Sequence, residues 1–521
     1  MKTLNCIDLY TAYLVSNFTQ DEINAILEES KQFFPLDNIE IEDGPQLTYN
    51  EIQNRLSTIN EVSPTRKKNG VYYTENDITN YIISNCFKLS CGIDIPELKI
   101  SEYSNICKKT VFDPTCGSGA FLLTALELKL KAKQRDNVTV RNILKSIFGN
   151  DIDEDSVLIT KLRLFLCILN FSGIKGIKGI SEVLNSNFTS CDFFELKINK
   201  KFDLVVGNPP YVEEPKTDSK HEYHYGNIYA NVLAKAVNYL SVDGVLGFIV
   251  PLSYSSTPRM SKIRNVLNSK LKNQIVLSYA DRPGCLFTGV HQKLNIVLGT
   301  VNGNGELYSS NYQYWYKGER NKLFDNQKYI LNKYQFEKFI PKLGNDNDIS
   351  IFNKIINQSE NIKLKKIGTE IIYLNMRACF WIKVFLTPHT TGEYKFFFFD
   401  SQSERNFIYC ILNSSLFWWY WICISDGWHI TSKEIDFFRV PKIYNDEIVF
   451  KLAFQLDNKL EETKKYIGSV QTQYEYKHKL CVPEIHQIDD YINNLYGLTE
   501  KESIYIKNFA LPYRTSEGVA T

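Results

Sequence analysis

The polar and apolar positions along the chain fall into four textures. Up to about residue 60, acids and apolar residues recur at helical spacing, and Thr19 stands ahead of Gln20-Asp21-Glu22-Ile23 as an N-cap with acids in the following turn. Residues 61–72 hold Pro64, Gly70 and the basic run Arg66-Lys67-Lys68, and read as a linker or loop. From about residue 110, short apolar runs alternate with helical segments. Thr110-Val-Phe-Asp113 precedes a helix from Ala120, and Ser146-Ile-Phe-Gly-Asn-Asp151 precedes one from Ser156. Phe202-Asp-Leu-Val-Val-Gly-Asn208 is followed by a helix from Tyr229, and Val245-Leu-Gly-Phe-Ile-Val250 closes the series. This alternation predicts a mostly parallel sheet covered by helices, with ligands at the carboxyl ends of the strands. The texture changes at Asn302-Gly-Asn-Gly305. Residues 365–445, rich in aromatic and β-branched side chains, read as strands and loops, and the C-terminal segment returns to charged helix. The expected organisation is a helical N-terminal segment (1–65), a Rossmann-like α/β domain (66–302), a mixed α+β domain (303–465) and a C-terminal helical segment (466–521).

Composition narrows the class without naming it. A chain of 521 residues exceeds one core and implies several domains. Hydrophobic residues at 44% and charged residues at 23% are those of an ordinary globular protein. No uninterrupted apolar run approaches the ~18 residues of a membrane span, and Leu416-Phe-Trp-Trp-Tyr-Trp421 belongs to a run that is too short. Asp8 and Tyr10 interrupt any apolar core at the start, so the expected location is the cytosol and no membrane partner is expected. The 12 cysteines form no C-x-x-C pair, which points to reduced, buried thiols and no metal. A net charge of +1 does not announce nucleic acid, although one basic face would suffice to bind it.

Four constellations at strand ends carry the chemistry. In the first, Phe112-Asp113-Pro114-Thr115-Cys116-Gly117-Ser118-Gly119, a strand ends in an acid and a Gly-rich turn opens a helix whose N–H groups face a ligand. A full G-x-G-x-x-G is missing, so a dinucleotide is not implied. In the second, Gly149-Asn150-Asp151-Ile152-Asp153, the acid has two readings: acceptor for a ribose's hydroxyls, or N-cap of the next helix. In the third, Cys191-Asp192-Phe193-Phe194, the acid and aromatics suit an adenine ring, and a plain strand-end acid is the alternative. The fourth, strand Phe202 to Gly207 followed by Asn208-Pro209-Pro210-Tyr211, decides between them. Two prolines remove N–H donors and fix a bend. The bend aims two acceptors, the Asn208 side chain and the Pro209 carbonyl, into the crevice. Two acceptors on an aromatic amine favour a pyramidal nitrogen with an available lone pair, without a strong general base.

These elements resemble the gamma class of adenine-N6 DNA methyltransferases, the modification enzymes of restriction–modification systems. The resemblance covers roughly residues 66–300 and implies S-adenosylmethionine as methyl donor and double-stranded DNA as substrate. It sets Lys68-Asn-Gly-Val-Tyr-Tyr73-Thr74 as the first cofactor motif, with Tyr73 and Thr74 near the methionine end. It assigns Asp113, Thr115, Cys116, Gly117 and Gly119 to the cofactor loop and Asp151 to the ribose. Ile152 then contacts the adenine, and Asp192 with Phe193 binds the adenine's amine and ring. Asn208, Pro209, Pro210 and Tyr211 match the catalytic tetrapeptide. Phe287, in Cys285-Leu-Phe-Thr-Gly289, matches the aromatic that packs on an adenine flipped out of the duplex.

Residues 303–465 occupy the place of the family's target-recognition domain. Arg377, Lys383, His389, Lys395, Arg405, His429 and Lys433 there are candidates for phosphate and base-edge contacts. The run Phe417-Trp-Trp-Tyr-Trp421 reads as core. Asn-Pro-Pro-Tyr also occurs in enzymes that methylate protein glutamine or RNA guanine, which are usually shorter. Another alternative is a subunit that needs a separate specificity chain. No metal-binding acid pair with a lysine stands out for DNA cleavage, so any restriction endonuclease is expected on a separate chain.

Overall fold

Thr110 and Asp203 bind the starts of two adjacent strands to each other. The Thr110 N–H and hydroxyl both donate to Asp203 Oδ2 at 2.8 Å, and the Asp203 N–H donates back to Thr110 Oγ1 at 2.9 Å. This fixes the register of β1 (Val111–Asp113) on β4 (Phe202–Gly207), in which Phe112 lies opposite Val205. The computed structural model describes residues 2–36, 45–59, 74–98, 105–136, 138–214, 222–325, 327–389, 393–468 and 474–515. They form two compact units. The first comprises Met1–Tyr254, Pro258–Leu277 and Cys285–Tyr308; the second comprises Ser255–Thr257, Ser278–Gly284 and Ser309–Thr521.

The first unit is built on a twisted sheet. Besides β1 and β4 it contains β2 (Ile147–Asp151), β3 (Phe188–Ser190), β5 (Leu240–Pro251), β6 (Asn273–Tyr279) and β7 (Leu294–Thr300). These strands run in the order β3-β2-β1-β4-β5-β7-β6. The pairs β2–β3, β1–β2, β1–β4 and β4–β5 are parallel, and β5–β7 is antiparallel. Helices α4 (Asn76–Ser90), α5 (Ala120–Asp136), α6 (Glu154–Ser172) and α7 (Ile228–Ala236) cover it. The strands expected at Asp113, Asp151, Asn208 and Val250 are all present. Continuous burial explains their texture, because Leu204, Val205, Val206 and residues Val245 to Val250 of β5 have both faces covered.

The N-terminal helices α1 (Lys2–Asn17), α2 (Gln20–Ser30) and α3 (Tyr49–Thr58) are part of this unit. Thr19 is the N-cap of α2, as expected, and its N–H donates to the Glu22 carboxylate at 2.8 Å. Gln53 of α3 exchanges hydrogen bonds with Arg163 of α6: its Nε2 donates to the Arg163 carbonyl at 2.9 Å, and Arg163 Nε donates to its Oε1 at 3.0 Å.

In the second unit, β8 (Glu370–Asn375), β9 (Val384–Phe385) and β10 (Tyr394–Phe399) form an antiparallel sheet in the order β9-β8-β10. The strand-and-loop expectation for residues 365–445 fails after β10. Residues 402–424 form two helices, α8 (Gln402–Asn413) and α9 (Ser415–Ile424), bent by 61°. Ser401 caps the first through the Glu404 N–H, and Ser414 caps the second through the Phe417 N–H. Every residue of α9 is buried, and a helix buried all round loses the periodicity that would distinguish it from a strand. The run Phe417 to Trp421 is therefore core, as expected. Helices α10 (Asp446–Thr463), α11 (Val482–Leu495) and α12 (Glu500–Asn508) complete this unit. No single described helix is long and apolar enough to cross a membrane.

Candidate functional site

β1, β2 and β4 end side by side, so their C-terminal residues converge. At the end of β1, Asp113 is 1% exposed and accepts from the Thr115 N–H at 3.0 Å. The turn that follows has positive φ at Gly117 (+53°) and Gly119 (+79°). A Cβ on Gly119 would stand 2.7 Å from Thr160 Cγ2 of α6, whereas one on Gly117 would meet nothing within 4 Å. Gly119 is thus required for packing the turn on α6, and Gly117 opens a space above it. Neighbours hold the turn firmly. Thr160 Oγ1 donates to the Gly117 carbonyl at 2.8 Å, Arg163 donates to the Ser118 carbonyl at 2.5 Å, and the Cys116 N–H donates to Asn150 O at 2.8 Å. The sequence reading missed Thr160, Arg163 and Gln53, which lie on helices with no motif of their own.

Asp151, at the end of β2, accepts from the Gly117 N–H (2.8 Å, Oδ2) and the Asp153 N–H (3.0 Å, Oδ1). The N-cap of α6 is Asp153, so the capping alternative for Asp151 is not the one adopted. A carboxylate has about four acceptor positions, and two of Asp151's are used in this way. Next to it Ile152 is 72% exposed, an apolar side chain left open beside the cradle. Burial pushes the Asp151 carboxyl up, and it pushes Asp113 well above the carboxylate range, with the Asp151 charge adding to the second shift. Burial, reinforced by both acids, also raises the Cys116 thiol, which is 6% exposed.

Asp192 accepts from the Phe194 N–H at 2.9 Å and stands in the turn after β3. The structure places Phe193 in the core: it is 4% exposed, with its ring 6.3 Å from Phe112 and 5.9 Å from Tyr239. Tyr73 lies outside the described residues. Thr74, 4% exposed, stands just before α4, where its hydroxyl accepts from Asn208 Nδ2 at 3.0 Å.

Asn208, Pro209, Pro210 and Tyr211 leave β4 next to the Asp113 turn. A Cβ on Gly207 would stand 2.8 Å from Asp113 Oδ1 and 3.3 Å from Phe248, so the two loops touch. The Tyr211 hydroxyl donates to the Ile249 carbonyl at 3.1 Å, and its ring meets Tyr229 edge-on at 6.3 Å. The Phe287 ring faces it at 29° with centroids 6.4 Å apart. Phe287 sits in a turn closed by the Val290 N–H on its carbonyl (3.0 Å), with φ of +72° at Gly289. The Thr288 N–H donates to Glu75 Oε1 at 3.3 Å. Glu75 is a further site residue that the sequence reading missed.

The cradle fits the cofactor that the sequence resemblance implies. Gly117 opens a space that a Cβ would fill, Asp151 keeps acceptor positions, and Thr115 Oγ1 is buried with no hydrogen-bond partner among the described residues. Asp151 and the buried Asp113 place two acids beside the turn that a cationic ligand would favour in their ionised form, and the exposed Ile152 offers an apolar face to a planar ring.

Stretches of the chain are similar to known proteins. Residues 145–282 match the Eco57I restriction-modification methylase family. Modification methylase CviBIII of Paramecium bursaria Chlorella virus NC1A is 28% identical over 170 residues, covering 32% of this chain and 37% of the relative. Type II methyltransferase M.VspI of Vibrio sp. (strain 343) is 25% identical over 224 residues, 40% of this chain and 43% of the relative. The matched stretches thus span less than half of these relatives. Among solved structures, Type IIL restriction-modification enzyme MmeI in complex with DNA superposes with a TM-score of 0.54 at 12% identity, covering 98% of this chain and 94% of that one. The fold shared with that structure is a mixed α/β sheet of largely parallel strands covered by helices.

Proposed function

We propose that this chain transfers a methyl group from S-adenosylmethionine to the N6 amine of an adenine flipped out of double-stranded DNA, as the modification component of a restriction–modification system. The observation that carries this reading is the pair of near-parallel rings, Tyr211 and Phe287, 6.4 Å apart beside Asn208. The two rings pair with each other at this distance and Phe287 is 1% exposed, so a base displaces one face of the pair as the Phe287 turn moves, and its contact with the rings replaces the stacking lost on extrusion from the duplex. Relatives named as a modification methylase and a Type II methyltransferase support the reaction class, and the MmeI–DNA complex supports DNA as substrate.

When bound, S-adenosylmethionine supplies an electrophilic methyl on a sulfonium. Asp151 and the Gly117 turn would hold its nucleoside, Ile152 and Asp192 would contact the adenine, and Asp113 lies against Gly207 of β4. Asn208 Oδ1 and the Pro209 carbonyl accept from the two N–H bonds of the target amine and draw its lone pair out of conjugation. The methyl would pass to the amine nitrogen held there as its bond to sulfur is given up, with S-adenosylhomocysteine as the leaving product and the extra proton on nitrogen released to solvent. Tyr211 and Phe287 keep the base from rotating away from line.

The test is methyl transfer from labelled S-adenosylmethionine to duplex DNA, with nucleoside analysis of the product. Label in N6-methyladenine supports the proposal, and label confined to RNA, protein or another base overturns it.

A further inference from the structure

Asn208 and Phe287, the two parts of the proposed base pocket, lie on loops 79 residues apart, yet Asn208 and Thr288, the residue after Phe287, are hydrogen-bonded to one dipeptide. Thr74 Oγ1 accepts from Asn208 Nδ2 at 3.0 Å. Glu75, the next residue and the N-cap of α4, accepts through Oε1 from the N–H of Thr288, which follows Phe287. Thr74 is 4% exposed, and α4 is anchored on α5 through the contact of Thr79 Oγ1 with Thr124 Oγ1 at 2.8 Å.

We propose that Thr74 and Glu75 act as a two-pronged positioning clamp on the base pocket: Thr74 orients the Asn208 amide, and Glu75 holds the Phe287 turn at stacking distance. This rests on the methyltransferase reading above. The chemistry of the first prong is specific. An asparagine side chain has an N–H2 end and a carbonyl end, and only the carbonyl can accept from the substrate amine. In the observed arrangement the Thr74 hydroxyl accepts from Nδ2, which leaves Oδ1 turned the other way. Without it, the amide can flip and present N–H bonds to an amine that also carries N–H bonds. The second prong acts on the loop. Phe287 is carried by a tight turn, and the Glu75 carboxylate ties the N–H of the adjoining residue to the rigid end of a helix.

The two prongs predict different losses. Thr74→Val keeps the shape and removes the acceptor. The expected result is a fall in kcat of ~10- to 100-fold, as for one misplaced group in a transition state, with the S-adenosylmethionine Kd and the KM for duplex DNA within about threefold of wild type. Thr74→Ser, which restores the hydroxyl, recovers most of the turnover. Glu75→Ala frees the Phe287 turn and raises the KM for DNA more than it lowers kcat, and Glu75→Gln, which still offers an acceptor, is milder. Thermal melting of each variant establishes folding, and Thr74→Ala stands in if the valine variant does not fold. Wild-type kcat in a folded Thr74→Val or Thr74→Ala would overturn the clamp. So would a loss of cofactor affinity matching the loss of turnover, which would make Thr74 a cofactor ligand only. Failure of the wild-type chain to methylate DNA would instead refute the parent reading, so the two failures are distinguishable.

Discussion

Gly207 lies against Asp113 so closely that a single added carbon would stand 2.8 Å from the aspartate's Oδ1. One residue of β4 thus connects the acid of the cofactor turn to the loop that begins at Asn208. The proposed cofactor and substrate loops pack directly on each other at this point.

Gly207→Ala is therefore expected to damage both halves of the site. Overpacking of this kind costs about 1–3 kcal/mol of stability. Because Asp113 must shift, S-adenosylmethionine affinity and turnover should fall together. Calorimetric titration beside steady-state kinetics checks this; an unchanged cofactor Kd would show that the Asp113 carboxylate does not depend on this contact.

The two acids also set a pH dependence. Burial raises both carboxyls, and Asp151 further raises Asp113. A cationic cofactor prefers them ionised, so its affinity should strengthen as pH rises above the ordinary carboxylate range and weaken as pH falls. S-adenosylhomocysteine, which lacks the sulfonium charge, should show a shallower dependence. Titrations across pH with both ligands read this directly, and parallel profiles would contradict it. Asp151→Ala should weaken cofactor binding at every pH.

A second titration belongs to the other unit. Asp489 is fully buried, accepts from the Ser415 N–H at 2.7 Å, and is pushed up to about 6 by burial. Between roughly pH 4 and 6 the folded chain holds a proton that the unfolded one has released, so this group's contribution is complete at low pH and is lost as pH rises. Two pH units correspond to about 3 kcal/mol at most. Asp489→Asn should leave stability near pH 4 little changed and raise it near pH 7. The comparison is between wild type and variant, because buried His478, lowered to about 3, has the opposite slope. A denaturation series in which the two differ equally at both pH values would contradict this.

Much of the first unit was legible because its strands are continuous buried runs ending in the residues that matter: Asp113, Asp151 and Asn208 stand where strand gives way to turn. Pairings across the chain were not. Thr74 and Asn208 are 134 residues apart, and nothing in either motif shows that the hydroxyl meets the amide. Glu75, Thr160 and Arg163 act through single hydrogen bonds from helices, which leave no pattern in spacing. Phe193 and Ile152 show the limit of residue type as a guide. Both are apolar and follow a strand-end acid, yet one is 4% exposed and the other 72%. Only the path of the chain after β2 and β3 separates them. α9 was misread because its aromatic content carries β propensity, while its burial on all sides removes the helical period.

The central claim is that Asn208 polarises an adenine amine without binding the cofactor. It is tested most directly by methyl transfer from labelled S-adenosylmethionine to duplex DNA with wild type and Asn208→Ala, with nucleoside analysis and cofactor titration on the same samples. The account predicts label in N6-methyladenine from the wild type, and turnover in the variant lower by ~100-fold or more with a near-normal cofactor Kd. Undiminished turnover by Asn208→Ala, or wild-type label in any other nucleoside, would contradict it.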